Sequence, residues 1–510
     1  MNRFPTARRV PAIVVPATLG AAIVVTSLVA PSVAHAYDPA TTHAGLTERA
    51  VLASELHRTL SHRLSKPLGL FEPVILRRGD LTGGEARSLP GRLDALDPAG
   101  GYRPSPEGVA PALAWIVAGT VIAETPAERG RNLFYDPVRG NGLAQAGGLT
   151  DMGHGLRMLF DAGGLRGAAT GTSFNLTGRP STEWLAAPDN DVGLRAFYDE
   201  LEAAVAGEMP GPRGTAFARA LLALGGTLAV LEDAGDPAHV RNDFRGAYLG
   251  VGSSSPFDRG SPFERYVADT YGRSGVPAAG APVNRPTVMA YITAADRQGL
   301  ADRTQRRFFS DGTLPEDGIV DRDTTGADVM RDARESLPYA LPALPRLDLQ
   351  GLGDKRYAYA SVEAERGAPQ RAGGAPPPRR RLLAYLRVPG RVRFFLDGAV
   401  YTDTARSLLP EIGAYGAGLV DHLFRAEIHL EVTADAVAVS ISGAHGDVHK
   451  GEVRLYAEDA TGRRRPFATA VPGATVTSLT IPAGTRRIAA VLHGEDDAGE
   501  LVAVAEQPVL

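Results

Sequence analysis

The 510-residue sequence contains no cysteine. This absence excludes disulfide bonds, thiolate zinc sites, iron–sulfur clusters and a cysteine nucleophile, so any bound metal must be held by His, Asp, Glu or backbone groups. Lysine is also scarce, because only three of the 54 cationic residues are Lys. Aromatic residues make up 6% of the chain, which leaves few platforms for the base stacking that single-stranded nucleic-acid-binding proteins use.

The overall composition is that of a globular protein, with 44% hydrophobic and 22% charged residues. A chain of this length forms two or three domains by default, since single cores stop growing near ~250–300 residues. The formal net charge of −4 favours neither an anionic nor a cationic partner. The P-loop, H-E-x-x-H, G-x-S-x-G and dinucleotide-binding motifs are absent from the sequence, which argues against the enzyme classes that depend on them.

The first 36 residues have the features of a secretory signal peptide. Three arginines within the first nine residues precede an uncharged apolar stretch, residues 10–30, and an Ala-His-Ala cleavage motif ends at Ala36. We therefore expect an exported protein, periplasmic or extracellular, whose mature chain begins at Tyr37. The apolar stretch is long for a signal peptide, so an uncleaved membrane anchor is the alternative interpretation.

The rest of the sequence predicts a helical part followed by a strand-rich tail. Apolar residues recur with helical spacing in residues 47–64, 109–124, 191–208, 214–233 and 403–424. After Arg425 apolar and polar residues alternate between turn residues, which predicts five or six short strands. We therefore predict a mainly α fold: a multi-helix domain, residues 37–425, followed by a small β-sandwich, residues 426–510, that folds independently. A Pro- and Arg-rich segment, residues 363–381, is predicted to be a disordered loop.

The candidate chemistry is concentrated at the end of a predicted helix, in the sequence LEDAGDPAHVRNDF, residues 231–244. Asp233 lies on the last turn, Pro237 prevents the helix from continuing, and His239 follows six residues after Asp233. A carboxylate and an imidazole in this arrangement can converge on one cation, and both are zinc ligands. The alternative is that Asp233 pairs with Arg241 and that His239 is an ordinary loop residue.

Four further segments accompany this motif in a consistent order: YDPATTHAGLTERA from residue 37, WIVAGTVIAETPAERGRNLFYDP from residue 115, SPFERYVAD from residue 261 and YTDTARSLLPEIGAYGAGLVDHLFR from residue 401. Together they resemble the bacterial zinc-dependent phospholipase C family, which is related to the S1/P1 nucleases. The resemblance covers most of residues 37–425. It implies an all-helical domain that holds three zinc ions and hydrolyses phosphate diesters. The tail is not part of the minimal enzyme of that family.

The resemblance assigns the ligands of a first metal to Tyr37, His43 and Asp233. In the family the mature N-terminal residue is a Trp that binds zinc through its α-amine and carbonyl. Tyr37 in that place keeps both backbone groups, so this first site is complete in the sequence. It requires cleavage after Ala36, because only cleavage frees the amine of Tyr37.

The second metal site of the family is depleted in this sequence. Its two imidazole ligands fall on Leu133 and Ala229, which cannot coordinate a metal ion. Glu124 and the bridging Asp233 remain, too few for a closed tetrahedral zinc site. Glu124 also occupies the position of the catalytic base in the family.

The third metal site is also incomplete. The resemblance assigns His239 and Glu264 to it, but its second histidine falls on Gly260, and Asp258 is the nearest substitute. His154 is the one histidine of the helical part that could serve as a spare ligand. The sequence therefore predicts one or two zinc ions rather than three.

Three functions remain open from the sequence. The first is an exported phospholipase C-like, zinc-dependent phosphodiesterase with a depleted metal site, acting on phospholipid or another phosphodiester, with a membrane surface as a further partner. The second is a catalytically inactive pseudoenzyme that binds lipid or protein. The third is a P1-type nuclease, which the scarcity of aromatic residues disfavours. The sequence does not give the oligomeric state or the substrate head group.

Overall fold

The structure is a computed structural model that describes residues 39–77, 105, 107–123, 127–148, 173–243, 261–315, 317–320, 324–329, 331, 347–350, 352–361, 379–433, 435–472 and 479–509. Helices account for 42% and strands for 25% of the structure. The prediction of a mainly α fold with one small C-terminal sandwich is therefore wrong, because helix is not dominant and several sheets are present. The predicted signal peptide, residues 1–36, lies outside the described residues.

The helices of the described residues are numbered in chain order. They are α1 (Ala44–Ala53), α2 (Leu56–Arg63), α3 (Ala112–Ala123), α4 (Ala127–Gly130), α5 (Ser181–Leu185), α6 (Leu194–Ala206), α7 (Pro210–Asp233), α8 (Pro262–Tyr271), α9 (Val288–Ile292), α10 (Leu300–Arg307) and α11 (Gly398–Leu423). Short 3-10 turns occur at Gly69–Phe71, Arg131–Leu133, His239–Arg241 and Asp311–Thr313, and a π-helical turn, Pro39–His43, leads directly into α1.

The strands of the described residues are all paired antiparallel. They are β1 (Pro73–Ile75), β2 (Val109–Pro111), β3 (Ala144–Gly148), β4 (Ser173–Thr177), β5 (Gly318–Ile319), β6 (Lys355–Ser361), β7 (Arg379–Val388), β8 (Arg391–Phe395), β9 (Glu427–Val432), β10 (Ala436–Ser442), β11 (Lys450–Glu458), β12 (Arg464–Ala470), β13 (Leu479–Thr480), β14 (Arg487–Asp496) and β15 (Gly499–Pro508). Strands β1 and β2 form one two-stranded ribbon, and β3 and β4 form another.

Helix α7 lies at the centre of the main hydrophobic core. It packs against α3, α6 and α11, and every residue of α3 is buried. Among the described residues α7 alone has the length and apolar composition that a membrane crossing requires, and 83% of its most apolar window is buried inside the protein. A helix that is apolar on nearly all sides is stabilised by packing on all sides, which α7 obtains from its neighbours.

Two glycines allow α3 and α7 to pack backbone against backbone. A Cβ atom on Gly225 would lie 1.8 Å from the carbonyl oxygen of Ile116, and one on Gly119 would lie 2.0 Å from the carbonyl oxygen of Leu222. No larger residue fits at either position without moving a backbone. This contact positions the C-terminal half of α7, which ends at the predicted metal ligand Asp233.

A second sheet, with strand order β5-β8-β7-β6, lies between α10 and α11 in the sequence. It has a hydrophobic core of its own that includes Leu383, Tyr385 and Val392, and β7 packs against α11. This sheet was not predicted. Residues 363–378 of the predicted disordered loop lie outside the described residues, whereas residues 379–381 begin β7, so the predicted loop extends too far.

The C-terminal strands form two sheets that share one core. The three-stranded sheet has the order β13-β10-β9 and the four-stranded sheet the order β12-β11-β14-β15. Val437 and Val439 from the first sheet and Leu455, Leu492 and Leu501 from the second are buried between them. The alternating apolar residues that predicted a sandwich lie in these strands.

The four-stranded sheet is buried on both faces. In β14, Ala490 and Leu492 belong to the sandwich core, whereas Ala489 and Val491 belong to the main helical core. Strand β15 shows the same alternation, and both strands pack against α6. The C-terminal part is therefore a layer of the whole molecule and not a separate appendage.

Polar contacts join the same sheet to α6. The Glu202 carboxylate accepts a hydrogen bond from Arg454 and contacts Nδ1 of His493 at 2.7 Å, while Nε2 of His493 contacts Glu500 at 2.7 Å. The hydrogen bond to Glu500, followed by that to Glu202, raises the pKa of His493 to about 9. The Tyr198 hydroxyl donates to the Glu500 carbonyl at 3.0 Å. At neutral pH a charged imidazole thus links the helix and the sheet.

Candidate functional site

Four of the six predicted metal ligands lie within the described residues. They are His43, Asp233, His239 and Glu264, and all four are buried. Tyr37 and the predicted catalytic base Glu124 lie outside the described residues, as do Asp258, Gly260 and His154.

His43 lies between two adjacent carboxylates at the end of α7. Its Nδ1 atom is 2.5 Å from Oε2 of Glu232, and its Nε2 atom is 3.3 Å from Oδ1 of Asp233. The Thr47 hydroxyl, one turn further along α1, donates to the other oxygen of Glu232 at 2.7 Å. Thr47 is buried, and its hydroxyl supports Glu232. The exposed fraction of both His43 and Asp233 is 0%.

These distances match a histidine that is prepared to bind a metal. Metal-binding histidines generally donate their second ring N–H to a carboxylate, which fixes the tautomer and the ring orientation, and Glu232 is placed to accept from Nδ1 of His43. With zinc–ligand bonds of about 2.0–2.1 Å, two ligands of a tetrahedral ion lie about 3.3 Å apart. The separation of 3.3 Å between His43 Nε2 and Asp233 Oδ1 agrees with this value.

The two positions that would hold the second metal are part of the hydrophobic core. Leu133 is 1% and Ala229 is 0% exposed, and both belong to the main core cluster. The backbone of Leu133 has a different use, because its carbonyl lies 3.3 Å from Nδ1 of His239. The His239 ring also stacks on Phe134, with ring centres 4.0 Å apart and an interplanar angle of 14°. His239 is therefore oriented by the segment that contains Leu133 and Phe134.

The Glu264 side chain caps the N-terminus of α8. Ser261 and Glu264 form a capping box in which each side chain accepts from the backbone N–H of the other residue, at 3.1 and 2.8 Å. The remaining part of the Glu264 carboxyl is in hydrogen-bond contact with Asp236. Burial raises the pKa of Asp236 to about 7. Burial, reinforced by the charge of Asp236, raises the pKa of Glu264 well above its ordinary value.

The Asp236–Glu264 pair therefore holds a shared proton near neutral pH. Two carboxylates in contact cannot both ionise in a buried site, so one of them stays protonated and donates to the other. Asp236 was not predicted as part of the site, although it lies in the quoted motif three residues after Asp233.

The Arg-Asn-Asp run after His239 connects separate parts of the chain. Arg241 donates to the Gln305 carbonyl at 2.5 Å, and Asn242 donates to the Gly142 carbonyl at 3.0 Å. Asp243 accepts from the Gly312 N–H at 2.7 Å. The sequence left open that Arg241 pairs with Asp233. In the structure the Arg241 side chain contacts α10 through the Gln305 carbonyl. Through these hydrogen bonds the run joins three separate segments of the chain to the end of α7.

The described residues do not by themselves form a complete metal centre. Among them no group of three or more His, Asp or Glu side chains could hold a metal ion. The His43–Asp233 pair supplies two donors at the spacing of a first zinc site, and the remaining predicted donors of that site belong to Tyr37, outside the described residues. Two donors at this spacing are compatible with one ion, and the described residues do not supply the three-zinc centre that the resemblance implies.

No protein-family model matches this sequence, and neither the curated proteins nor the solved structures contain a match. The resemblance to the zinc-dependent phospholipase C family therefore depends on the quoted segments and on the site geometry described above.

Proposed function

We propose that this protein is an exported, phospholipase C-like phosphodiesterase that binds one zinc ion at His43 and Asp233. The observation that carries the proposal is the 3.3 Å separation between Nε2 of His43 and Oδ1 of Asp233, with Glu232 and Thr47 behind the imidazole. The substrate class is phospholipid or another phosphate diester, as the resemblance implies.

The residues of the chain have distinct tasks in this proposal. Nε2 of His43 and the Asp233 carboxylate would hold the ion, and the resemblance implies that the Tyr37 amine and carbonyl would complete its ligands. Glu232 accepts a hydrogen bond from the Nδ1–H of His43, which leaves Nε2 unprotonated and available as a ligand. Thr47 fixes the orientation of Glu232. When bound, a zinc ion polarises a phosphoryl oxygen and lowers the pKa of a bound water. By family position, Glu124 accepts the proton from the attacking water.

The proposal is tested by metal analysis and by hydrolysis assays on the purified mature protein. We expect about one zinc per chain and measurable hydrolysis of bis(p-nitrophenyl) phosphate or phosphatidylcholine vesicles. His43→Gln and Asp233→Asn should each remove the zinc and the activity. His62→Gln is a matched control, because His62 lies exposed on α2. Zinc content that is unchanged in both site variants would refute the metal site.

One further variant separates a metal site from a merely structural contact. Thr47→Val keeps the side-chain volume but removes the hydrogen bond to Glu232. It should weaken zinc affinity by about 10-fold, as loss of an outer-shell partner typically does, without changing the zinc stoichiometry at saturation. An unchanged affinity would show that the hydrogen bond from Thr47 to Glu232 does not influence the metal ligand His43.

A catalytically inactive, zinc-stabilised scaffold is the second candidate function. It is favoured by a specific observation, namely that Leu133 and Ala229 replace ligands of the second metal with hydrophobic core. Zinc bound at one per chain with no hydrolysis of either substrate would favour this scaffold. In that case the lower melting temperature of the zinc-free protein would be the only effect of the metal.

Export is a separate part of the proposal. It depends on the three early arginines, the apolar stretch and the Ala-His-Ala motif that ends at Ala36. N-terminal sequencing of the protein released by the cell should begin at Tyr37. A variant with one additional residue before Tyr37 moves the amine away from the zinc site without changing a side chain, and it should bind zinc less tightly.

A further inference from the structure

A cavity of about 300 Å³ lies between the C-terminal end of α11 and the C-terminal sandwich. Its wall is formed by residues 282–284, by Tyr291, by the last turns of α11 and by the turn between β10 and β11. His422 on α11 and His445 in the turn both line it. The cavity shares no residue with the candidate zinc site.

His422 is buried at this cavity in a form that can bind a ligand. It is 4% exposed, and neither of its ring nitrogens has a hydrogen-bond partner within the described residues. Burial, followed by the charge of Arg425, lowers the pKa of His422 to about 4. The imidazole is thus neutral at neutral pH and carries one unprotonated nitrogen. A buried polar group without a partner is costly, and a ligand in the cavity would remove that cost.

His445 lies close enough to share a ligand with His422. The ring centres are 5.8 Å apart, with an interplanar angle of 33°. An ion about 2.0–2.1 Å from a ring nitrogen lies about 3.2 Å from the ring centre, so two imidazoles on one ion have centres no more than about 6.4 Å apart. The observed separation is within this limit. His445 is exposed, so solvent ions can reach the pair.

The charges around the cavity favour a cation over an anion. The Arg425 guanidinium is bound to the buried Asp496 carboxylate through two contacts of 2.8 and 3.0 Å, which neutralise each other's charge. The half-buried Asp421 also lines the cavity. Arg425, its partner Asp496 and Asp421 together carry a formal charge of −1, which favours a cation over a phosphate or carboxylate ligand.

We propose that His422 and His445 bind Cu²⁺, a divalent transition-metal ion for which imidazole is a suitable ligand. Since no group of three His, Asp or Glu side chains among the described residues could hold a metal, water completes the coordination. The ion links the end of α11 to the turn between β10 and β11. It therefore strengthens the contact between the helical core and the sandwich, independently of the function proposed above.

The test is a Cu²⁺ titration of the full mature protein after removal of metals with a chelator. The wild-type protein should bind one more Cu²⁺ per chain than His422→Gln or His445→Gln. Its electron paramagnetic resonance spectrum should show nitrogen splitting that is missing from both variants. The control is His62→Gln, which should bind as much Cu²⁺ as the wild type. Copper bound at the N-terminal amine is present in every variant and cancels in the comparison.

A second readout keeps the proposal testable if one variant folds poorly. Cu²⁺ should raise the melting temperature of the wild type and of His62→Gln more than that of His445→Gln, whose substituted side chain is exposed and unimportant for packing. In a protein that already carries His43→Gln, the change His445→Gln should reduce the Cu²⁺-induced rise in melting temperature as much as it does in the wild type. This result separates the copper site from the candidate zinc site. Equal Cu²⁺ binding by the wild type and both cavity variants would overturn the proposal.

Discussion

The C-terminal sandwich should not be stable when it is cut from the rest of the chain. In the intact protein the helix-facing side of its four-stranded sheet is buried in the main core, and Val491, Val502 and Val504 are each no more than 2% exposed. Full burial of a valine contributes about 1.5–3 kcal/mol, so the isolated segment, residues 426–510, forgoes about 4.5–9 kcal/mol. A domain of this size has a total stability of only about 4–13 kcal/mol. The missing contribution is as large as the whole.

This prediction reverses the expectation of independent folding, and it is checked by urea denaturation followed by circular dichroism. The isolated segment should unfold without a cooperative transition, or aggregate through the exposed face. Replacing the three valines by threonine should make the segment more soluble, but it should destabilise the full chain by burying hydroxyl groups. If the isolated segment unfolds cooperatively at the same urea concentration as it does within the full chain, the burial argument is refuted.

Three further predictions address the core, the pH response and the lost metal site. Gly225→Ala should lower the free energy of unfolding by about 2–4 kcal/mol, because its Cβ would lie 1.8 Å from a carbonyl oxygen of α3. Gly214 lies in the same helix, and no atom lies within 4 Å of a Cβ added there. Gly214→Ala should therefore raise the free energy of unfolding by up to about 1 kcal/mol, as measured by urea titration. His493→Gln should cost about 1–2 kcal/mol at pH 7 after allowance for its partial exposure. The cost should disappear at pH 10, because a raised pKa stabilises the fold below the ordinary value and this stabilisation is lost as the pH rises through about 9. Leu133→His combined with Ala229→His should increase bound zinc and lower the melting temperature of the metal-free protein, and no gain in zinc would show that the register is wrong.

The helices with a buried stripe were predictable from the sequence. The stretches 191–208 and 214–233 correspond to α6 (Leu194–Ala206) and α7 (Pro210–Asp233), and their ends differ by four residues or fewer. In α6 the core covers one face, and helical spacing of apolar residues marks such an element. Helix α7 is buried on nearly all sides, and its length of 24 residues distinguishes it from a buried strand. The sandwich strands were predictable for the same reason, with a period of two.

Strands that are buried on both faces escaped this reasoning. Residues 382–386 read LLAYL and lie in β7, and residues 488–492 read IAAVL and lie in β14. A continuous apolar run has no period, so it does not distinguish a buried strand from a short buried helix. In β14 the alternate residues were recognised, but the intervening Ala489 and Val491 were not recognised as a second buried face. That face is what joins the sandwich to the helical core.

The candidate site was only partly accessible from the sequence. The resemblance pointed to His43 and Asp233, which are far apart in the chain and meet because α1 packs against α7. Glu264 had a local signal that was overlooked, because Ser-Pro-Phe-Glu directly before an apolar run is a capping box. No spacing rule indicates that Asp236 would meet Glu264, since that contact depends on the tertiary structure.

The residues at the end of α7 have two possible roles, packing of distant segments and metal binding, and different side chains serve each role. Asn242 and Asp243 bind backbone groups of distant segments, so this half of the motif is accounted for by packing without any metal. Glu232 contacts Nδ1 of His43, whereas the 3.3 Å separation between its Nε2 and Oδ1 of Asp233 also matches two ligands of one ion. Substitutions at Asn242 and Asp243 should therefore change the stability of the protein whether or not zinc is present. Substitutions at His43 should lower stability in both cases, because its ring contacts the buried Glu232 carboxylate, but the loss should be larger when zinc is available. This dependence on the metal is what distinguishes a binding site from an architectural motif.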